Sequence, residues 1–313
     1  MNEIIDFTPC TLSSRAGTYG GKAGYKDGII YKNEYWIIKY PQSTKGMRGN
    51  IASYTTSPLS EYIGSHIYAI LGYDVHETIM GYRNNKIVVA CKDFCKQEGS
   101  LREIRTLKNL ANPMLAEKLE RSFSSTGSSH HVNLEETLLH LKYNDILKNI
   151  SGVTERFWDC IVIDIFINNN DRNNGNWGIL YENNQYKLAP VYDNGASFFN
   201  KHTEEQIIKI LNNPERMKQS VATSATGYML HGKPLFVQDM LNLNYTGLHH
   251  ALIKNVPLIQ KKLPEIYRMI DAIPKEYHQL EVCSDCRKEY YKKCLDVRME
   301  QALIPAWKNA KRA

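Results

Sequence analysis

The sequence predicts an α+β chain of two lobes: a small β-rich N-lobe over residues 1–95 and a larger helical C-lobe over residues 96–313. Three observations carry this. Short β-branched and aromatic segments, bounded by turn residues, crowd the first hundred positions. After Gln97 the apolar residues recur at helical spacing. A break rich in Asn and Gly at 168–178 is followed by two strand-like segments.

In the N-lobe, DGIIYKN, EYWIIKYP and NKIVVACKDF read as strands, with Asp27-Gly28 and Asn84-Asn85 as hairpin turns. One helix interrupts them. Ser57 is a good N-cap, Pro58 suits the first helical position, and SEYIGSHIYAILG runs to a stop at Gly72. Leu59, Ile63, Ile67 and Ile70 recur at helical spacing and are expected to face the sheet. In the C-lobe, helical pattern runs from Leu101 to Phe123. The polar stretch Ser124–His131 reads as a loop, and helices resume over 133–149 and 154–167. The strands NWGILYE and YKLAPVYD, joined at Asn183-Asn184, follow the break. From about residue 203 helical pattern dominates, punctuated by prolines.

Composition excludes several classes. No run of about 18 apolar residues exists, so a membrane span is not expected. The start, MNEIIDFTPC, lacks a basic region ahead of an apolar run, and a cytoplasmic location is expected. Seven scattered cysteines fit reduced thiols. Cys283 and Cys286 form a CxxC with no second pair, too few ligands for a structural zinc site. Net charge is +6. That suits an anionic ligand such as a nucleotide, but no basic block interleaved with aromatics marks a nucleic-acid tract.

The chemistry sits in NNNDRNNGNWG. Asp171 and Asn176 stand as D-x-x-x-x-N, and Asp193 follows a hairpin, at the end of an apolar strand, in YDNG. Asn, Asp and Gly alone would make an ordinary loop. The spacing points further. Phosphoryl transfer needs a carboxylate to accept the proton of the attacking hydroxyl, and oxygen ligands for Mg²⁺. Asp171 suits the first need, Asn176 and Asp193 the second. Upstream, TYGGKAGYKDG offers Gly20, Gly21 and Gly24, which let backbone approach phosphate oxygens. Lys39 ends an apolar strand and is read as a phosphate ligand. Glu61, on the first turns of the helix, is placed to pair with it. Lys92-Asp93-Phe94 follows the apolar strand IVVAC, where a hinge between lobes would sit.

With these residues assembled, the chain resembles the HipA-like Ser/Thr kinases, most closely the small CtkA-type members. The marks are GGKAGYK, IIKYP, LSEYIGSHIYAILGYDVHET, KIVVACKDF, NNDRNNGNWG and LAPVYDNG, in the family's order and spacing. They cover roughly residues 5–200. The resemblance implies a protein-kinase-like fold and an enzyme that moves the γ-phosphate of ATP to a Ser/Thr hydroxyl of a protein. It implies Lys26 and Lys39 on the phosphates, Lys92 and Phe94 at the adenine, Asp171 as base, and Asn176 and Asp193 on Mg²⁺. One departure stands beside the base: the family has His after Asp-Arg, and this chain has Asn173. The phosphate loop also has no serine between Thr18 and Lys26, so loop phosphorylation seen in some members is not carried over. The chain is short for a HipA toxin, and an antitoxin partner is allowed by the resemblance but not implied by it. From the residues alone two other readings stay open: a small-molecule phosphotransferase with a similar Asp/Asn/Asp set, and a catalytically silent nucleotide-binding module.

Overall fold

In a computed structural model, the structure describes residues 3–15, 26–47, 49, 51–96, 100–107 and 132–312. Gly20, Gly21 and Gly24 lie outside the described residues. So do most of the helical stretch expected before Phe123 and the loop expected over 124–131. The chain forms two compact units, each assembled from several stretches of sequence. The first takes residues 1–98, 190–218 and 258–297, the second residues 99–189, 219–257 and 298–313.

The first unit is built on a five-stranded sheet. Its strands are β1 (Ile5–Asp6), β2 (Lys26–Tyr31), β3 (Glu34–Lys39), β4 (Thr78–Arg83) and β5 (Lys86–Lys92), in the order β1-β4-β5-β3-β2. β1 pairs parallel with β4 and the other pairs are antiparallel. Phe7, Ile29, Trp36, Ile38, Tyr40, Val88 and Ala90 form a buried cluster. Residues alternate across a strand, so Lys39 projects from the face opposite Ile38. Helix α1 (Ser57–Ile70) packs on β4 and β5. Leu59, Ile63 and Ile67 are buried as their spacing predicts, and Gly72 stops the helix with φ +83°.

Two local expectations are corrected. Asp27-Gly28 is not a turn; both residues lie within β2, and the β2–β3 turn is Lys32-Asn33, both at positive φ. Asp27 is drawn inside because its carboxylate accepts from the Tyr40 hydroxyl at 2.7 Å and pairs with Arg83 at 3.3 Å. The cap of α1 is Thr56, with Ser57 already helical and Pro58 in the first turn. Asn84-Asn85 and Asn183-Asn184 do form the expected turns, all four at positive φ.

The second unit packs helices Leu134–Tyr143, Val153–Ile167, Val237–Leu241 and Ile304–Ala310 with two small sheets. One sheet holds the expected hairpin, Gly178–Glu182 against Gln185–Leu188, with Leu101–Glu103 on its edge. The other holds a hairpin that helical pattern concealed, Ala225–Leu230 with Lys233–Phe236, turning at His231-Gly232. The helix Val153–Ile167 is largely apolar from Phe157 onward, and twelve of its fifteen residues are buried. Among the described residues no helix is long and apolar enough to cross a membrane. None of the seven cysteines forms a disulfide.

Candidate active site

In the first unit the centre is Lys39. Its Nζ lies 2.6 Å from Glu61 Oε2 and 2.9 Å from Asp193 Oδ1. Strand β3 brings the lysine to the sheet face that α1 covers, and Glu61 lies one turn into α1, only 1% exposed. Asp193 is placed by Val191, which bridges Val75 in parallel fashion just after α1. The Asp193 backbone is at φ +60°, a left-handed conformation that Asp tolerates better than most residues. Its side chain keeps 37% exposure, so one face of the carboxylate looks to solvent.

Glu61 is held from several directions. Its Oε1 takes the Asn194 N–H at 2.9 Å and lies 2.9 Å from His76 Nε2. Asn194 Nδ2 donates to Ser65 Oγ at 3.0 Å, and the Ser60 hydroxyl donates to the Ser197 carbonyl at 2.8 Å. Helix α1 is thus stitched to the turn 193–197. Gly195 permits this approach, because a Cβ there would sit 3.3 Å from Glu61 Oε2. Burial pushes the Glu61 carboxyl up, but Lys39 and His76 outweigh it and hold the group well below the usual carboxylate range. Burial pulls Lys39 down, and Asp193 and Glu61 more than offset it, so the ammonium stays charged. Glu61, His76 and Cys91 also bring three metal-type ligand atoms within 4.8 Å of one another. Here the Lys39 ammonium supplies the cation, and the Cys91 thiol is pushed far up by burial.

Lys26 stands directly opposite Lys39 in the β2–β3 register. Like charges at opposed positions repel, so two lysines side by side require nearby anions. Glu61 and Asp193 supply negative charge, and a polyanionic ligand would supply more. At the end of β5, the Lys92 ammonium lies 2.7 Å from Glu34 and 3.2 Å from Glu77. The Phe94 ring lies 5.6 Å from Tyr192. Lys26, Lys39, Glu61, Lys92, Phe94 and Asp193 therefore all belong to the first unit.

In the second unit, Asp171 and Asn176 occupy one loop after the helix Val153–Ile167. That helix ends at Asn168, left-handed at φ +55°. The loop is anchored by a buried ion pair: Arg172 Nε lies 2.9 Å from Asp164 Oδ2 and its Nη2 lies 2.9 Å from Oδ1. Arg172 Nη1 also donates to the Asn176 carbonyl at 3.1 Å, and Asn169 Nδ2 donates to Asp164 Oδ1 at 3.1 Å. Anchored this way, Arg172 points inward and its neighbour Asp171 is exposed. Asn176 Nδ2 donates to the Asp171 carbonyl at 2.5 Å, which leaves its Oδ1, the atom a hard cation prefers, turned to other partners. Asn173 Nδ2 donates to Asp171 Oδ1 at 3.0 Å, and Asn173 Oδ1 accepts the Gly175 N–H at 2.8 Å.

Comparison with known proteins gives one clear set of relatives. The serine/threonine-protein kinase CtkA of Helicobacter pylori strain J99 is 31% identical over 309 residues, 96% of this chain and 86% of that protein. The crystal structure of the H. pylori proinflammatory kinase CtkA superposes with a TM-score of 0.83 at 29% identity, covering 99% of both chains. The chain belongs to the HipA-like Ser/Thr kinases of CtkA type. It is therefore a Ser/Thr protein kinase, with the kinase-like α+β fold of that family. HipA of Shewanella oneidensis MR-1, solved with HipB and operator DNA, shares the fold at a TM-score of 0.53 and 10% identity, over 94% of this chain and 67% of that one. No protein-family model matches.

Kinases of this family use ATP and a metal ion in general terms. Asp193 in the first unit and Asn176 in the second each carry an oxygen of the kind a hard divalent cation takes. Four supporting residues escaped the sequence reading: His76, Asn194, Asp164 and Arg172. Asp164 had a signal, since a carboxylate in the apolar run CIVIDIFI must find a partner indoors. His76 and Asn194 had none, because their partners lie on another element, 11 to 133 positions away.

Proposed function

We propose that this CtkA-type kinase uses ATP and Mg²⁺ and transfers the γ-phosphoryl group to a Ser or Thr hydroxyl of a protein. In this reading Lys39 and Lys26 hold phosphate oxygens, together with Gly20, Gly21 and Gly24. Glu61 fixes the Lys39 ammonium, and Lys92 and Phe94 border the adenine. Asn176 and Asp193 hold Mg²⁺, which offsets charge on the phosphates. Asp171 orients the substrate hydroxyl and accepts its proton.

The observation that carries the proposal is the three-way contact of Lys39 with Glu61 and Asp193. A lysine so held is charged and directed, with a solvent-facing carboxylate beside it. An ordinary surface ion pair would not bury its glutamate or surround it with three donors. The exposed Asp171, on a loop braced by Arg172, supports the base role. The order of the motifs supports the assignment of Asn176 and Asp193 to one cation.

The test is phosphosite mapping by mass spectrometry after incubation with ATP and Mg²⁺, alone and with cell lysate. Phosphorylated Ser or Thr is expected with wild type. With Asp171→Asn the rate is expected to fall by about 10² or more. Undiminished transfer by that variant would refute the base assignment.

A further inference from the structure

We propose that Arg15 is a positioning residue for the adenine of ATP, acting through the backbone of residues 93–96. This rests on the reading of Lys92–Phe94 as the adenine-bordering segment. Beyond Lys92 the strand β5 ends, and the chain leaves the ladder that held it. One side chain then reaches residues 93, 95 and 96. Arg15 Nη1 lies 3.0 Å from Asp93 Oδ2 and donates to the Cys95 carbonyl at 2.9 Å. Its Nη2 donates to the Lys96 carbonyl at 3.1 Å. The guanidinium lies over the Tyr35 ring, 4.1 Å from Cζ to centroid.

These contacts join positions 78 to 81 residues apart, so they are tertiary rather than a local turn. Asp93 completes the clamp. Its N–H donates to the Tyr35 carbonyl at 2.9 Å, and its Oδ1 accepts the Cys95 N–H at 2.8 Å. The carboxylate is 6% exposed, and Arg15 is the cation that balances it there. The fork consumes the carbonyls of Cys95 and Lys96. Among the described residues the Phe94 N–H meets no backbone acceptor, which leaves it available to a ring nitrogen. A planar base is read by one or two backbone groups at fixed separation. Loosening the strand end therefore blurs that reading without touching the phosphates. Only a guanidinium offers a rigid fork that serves a carboxylate and two carbonyls at once.

The experiment measures inhibition by adenosine and by inorganic tripolyphosphate, with the KM for ATP, in wild type, Arg15→Ala and Arg15→Lys. Adenosine reports the base site and tripolyphosphate the phosphate site. Loss of the charge-assisted bonds in Arg15→Ala should weaken adenosine and raise the ATP KM by about tenfold, with the loss falling on KM rather than kcat. Tripolyphosphate should shift by less than about twofold, and Arg15→Lys, which keeps charge but not the fork, should fall between. Arg15→Lys also serves if the alanine variant fails to fold. Wild-type adenosine inhibition in both variants would overturn the proposal, and so would equal weakening of adenosine and tripolyphosphate. A wild-type protein that binds neither adenosine nor ATP would instead refute the ATP reading itself, and the inference with it.

Discussion

Lys39 on strand β3 and Asp193, 154 positions further along the chain, meet with Nζ 2.9 Å from Oδ1. The same ammonium lies 2.6 Å from Glu61, so two carboxylates from different elements converge on one cation. A charge held this way is already in place before any ligand arrives, and the side chain loses little further freedom on binding.

Removing either side of the Lys39–Glu61 pair should be costly in different ways. Glu61→Ala takes one of two carboxylates from a largely buried ammonium that keeps Asp193, so the loss should fall below the about 3–5 kcal/mol of a buried charge left with no partner. Urea unfolding of Glu61→Ala against wild type measures this. Lys39→Ala should abolish phosphotransfer while reducing stability less, because Glu61 keeps His76 and the Asn194 N–H. A Lys39→Ala enzyme with wild-type kcat/KM would remove Lys39 from the phosphate site.

Stability should depend on acid through Glu61. Its carboxyl is held below the usual range in the fold, so the unfolded chain takes up its proton first. The stabilisation is complete above the ordinary carboxylate pKa of about 4.5 and is lost as pH falls from there through the lowered value. Between pH 5 and 3, wild type should lose stability more steeply than Glu61→Gln, as followed by denaturant midpoints. Parallel slopes for the two proteins would show that Glu61 is not ionised in the fold.

The Asn173 amide reaches the carboxylate of Asp171, the proposed base. Losing that exposed hydrogen bond in Asn173→Ala should cost about 0.5–1.5 kcal/mol of transition-state stabilisation, or roughly two- to twelvefold in kcat/KM. Asn173→Asp should cost more, because it sets a second negative charge beside the proposed base.

The Arg172–Asp164 pair braces the loop that carries Asp171 and Asn176. Both side chains are nearly dry, at 3% and 5% exposure. Asp164→Asn leaves the guanidinium buried without a carboxylate, a loss of about 3–5 kcal/mol. Arg172→Lys should also weaken the loop, since one ammonium cannot replace two parallel bonds to a carboxylate. Thermal unfolding reads both. A fully stable Asp164→Asn variant that still loses activity would make the pair an alignment device alone.

Much was legible in the sequence because it is local. The helix Ser57–Ile70 follows from apolar spacing and a glycine stop, and the turns at Asn84-Asn85 and Asn183-Asn184 follow from residues that tolerate positive φ. The order Lys39, Glu61, Asp171, Asn176, Asp193 was legible as spacing. Asp27-Gly28 misled because turn propensity is a weak prior, and a buried carboxylate with Tyr40 and Arg83 as partners overrides it. The hairpin at 225–236 was hidden by short strands inside a helical context.

By itself, then, the sequence determined most of the N-terminal strands, the helix Ser57–Ile70 with its apolar face, and a set of candidate groups for phosphoryl transfer. The tertiary structure alone decided which of them are held and by what. Hydrogen bonds and ion pairs join residues distant in the chain, and no periodicity encodes such partners. The Lys39–Glu61 pair was expected from the sequence, but only the fold could show Glu61 gripped by His76 and Asn194 as well. The same is true of Arg172 turned inward to Asp164 and Arg15 drawn across to Asp93. In each case a buried or half-buried charge must find its partner, and its position in space, rather than in sequence, supplies one.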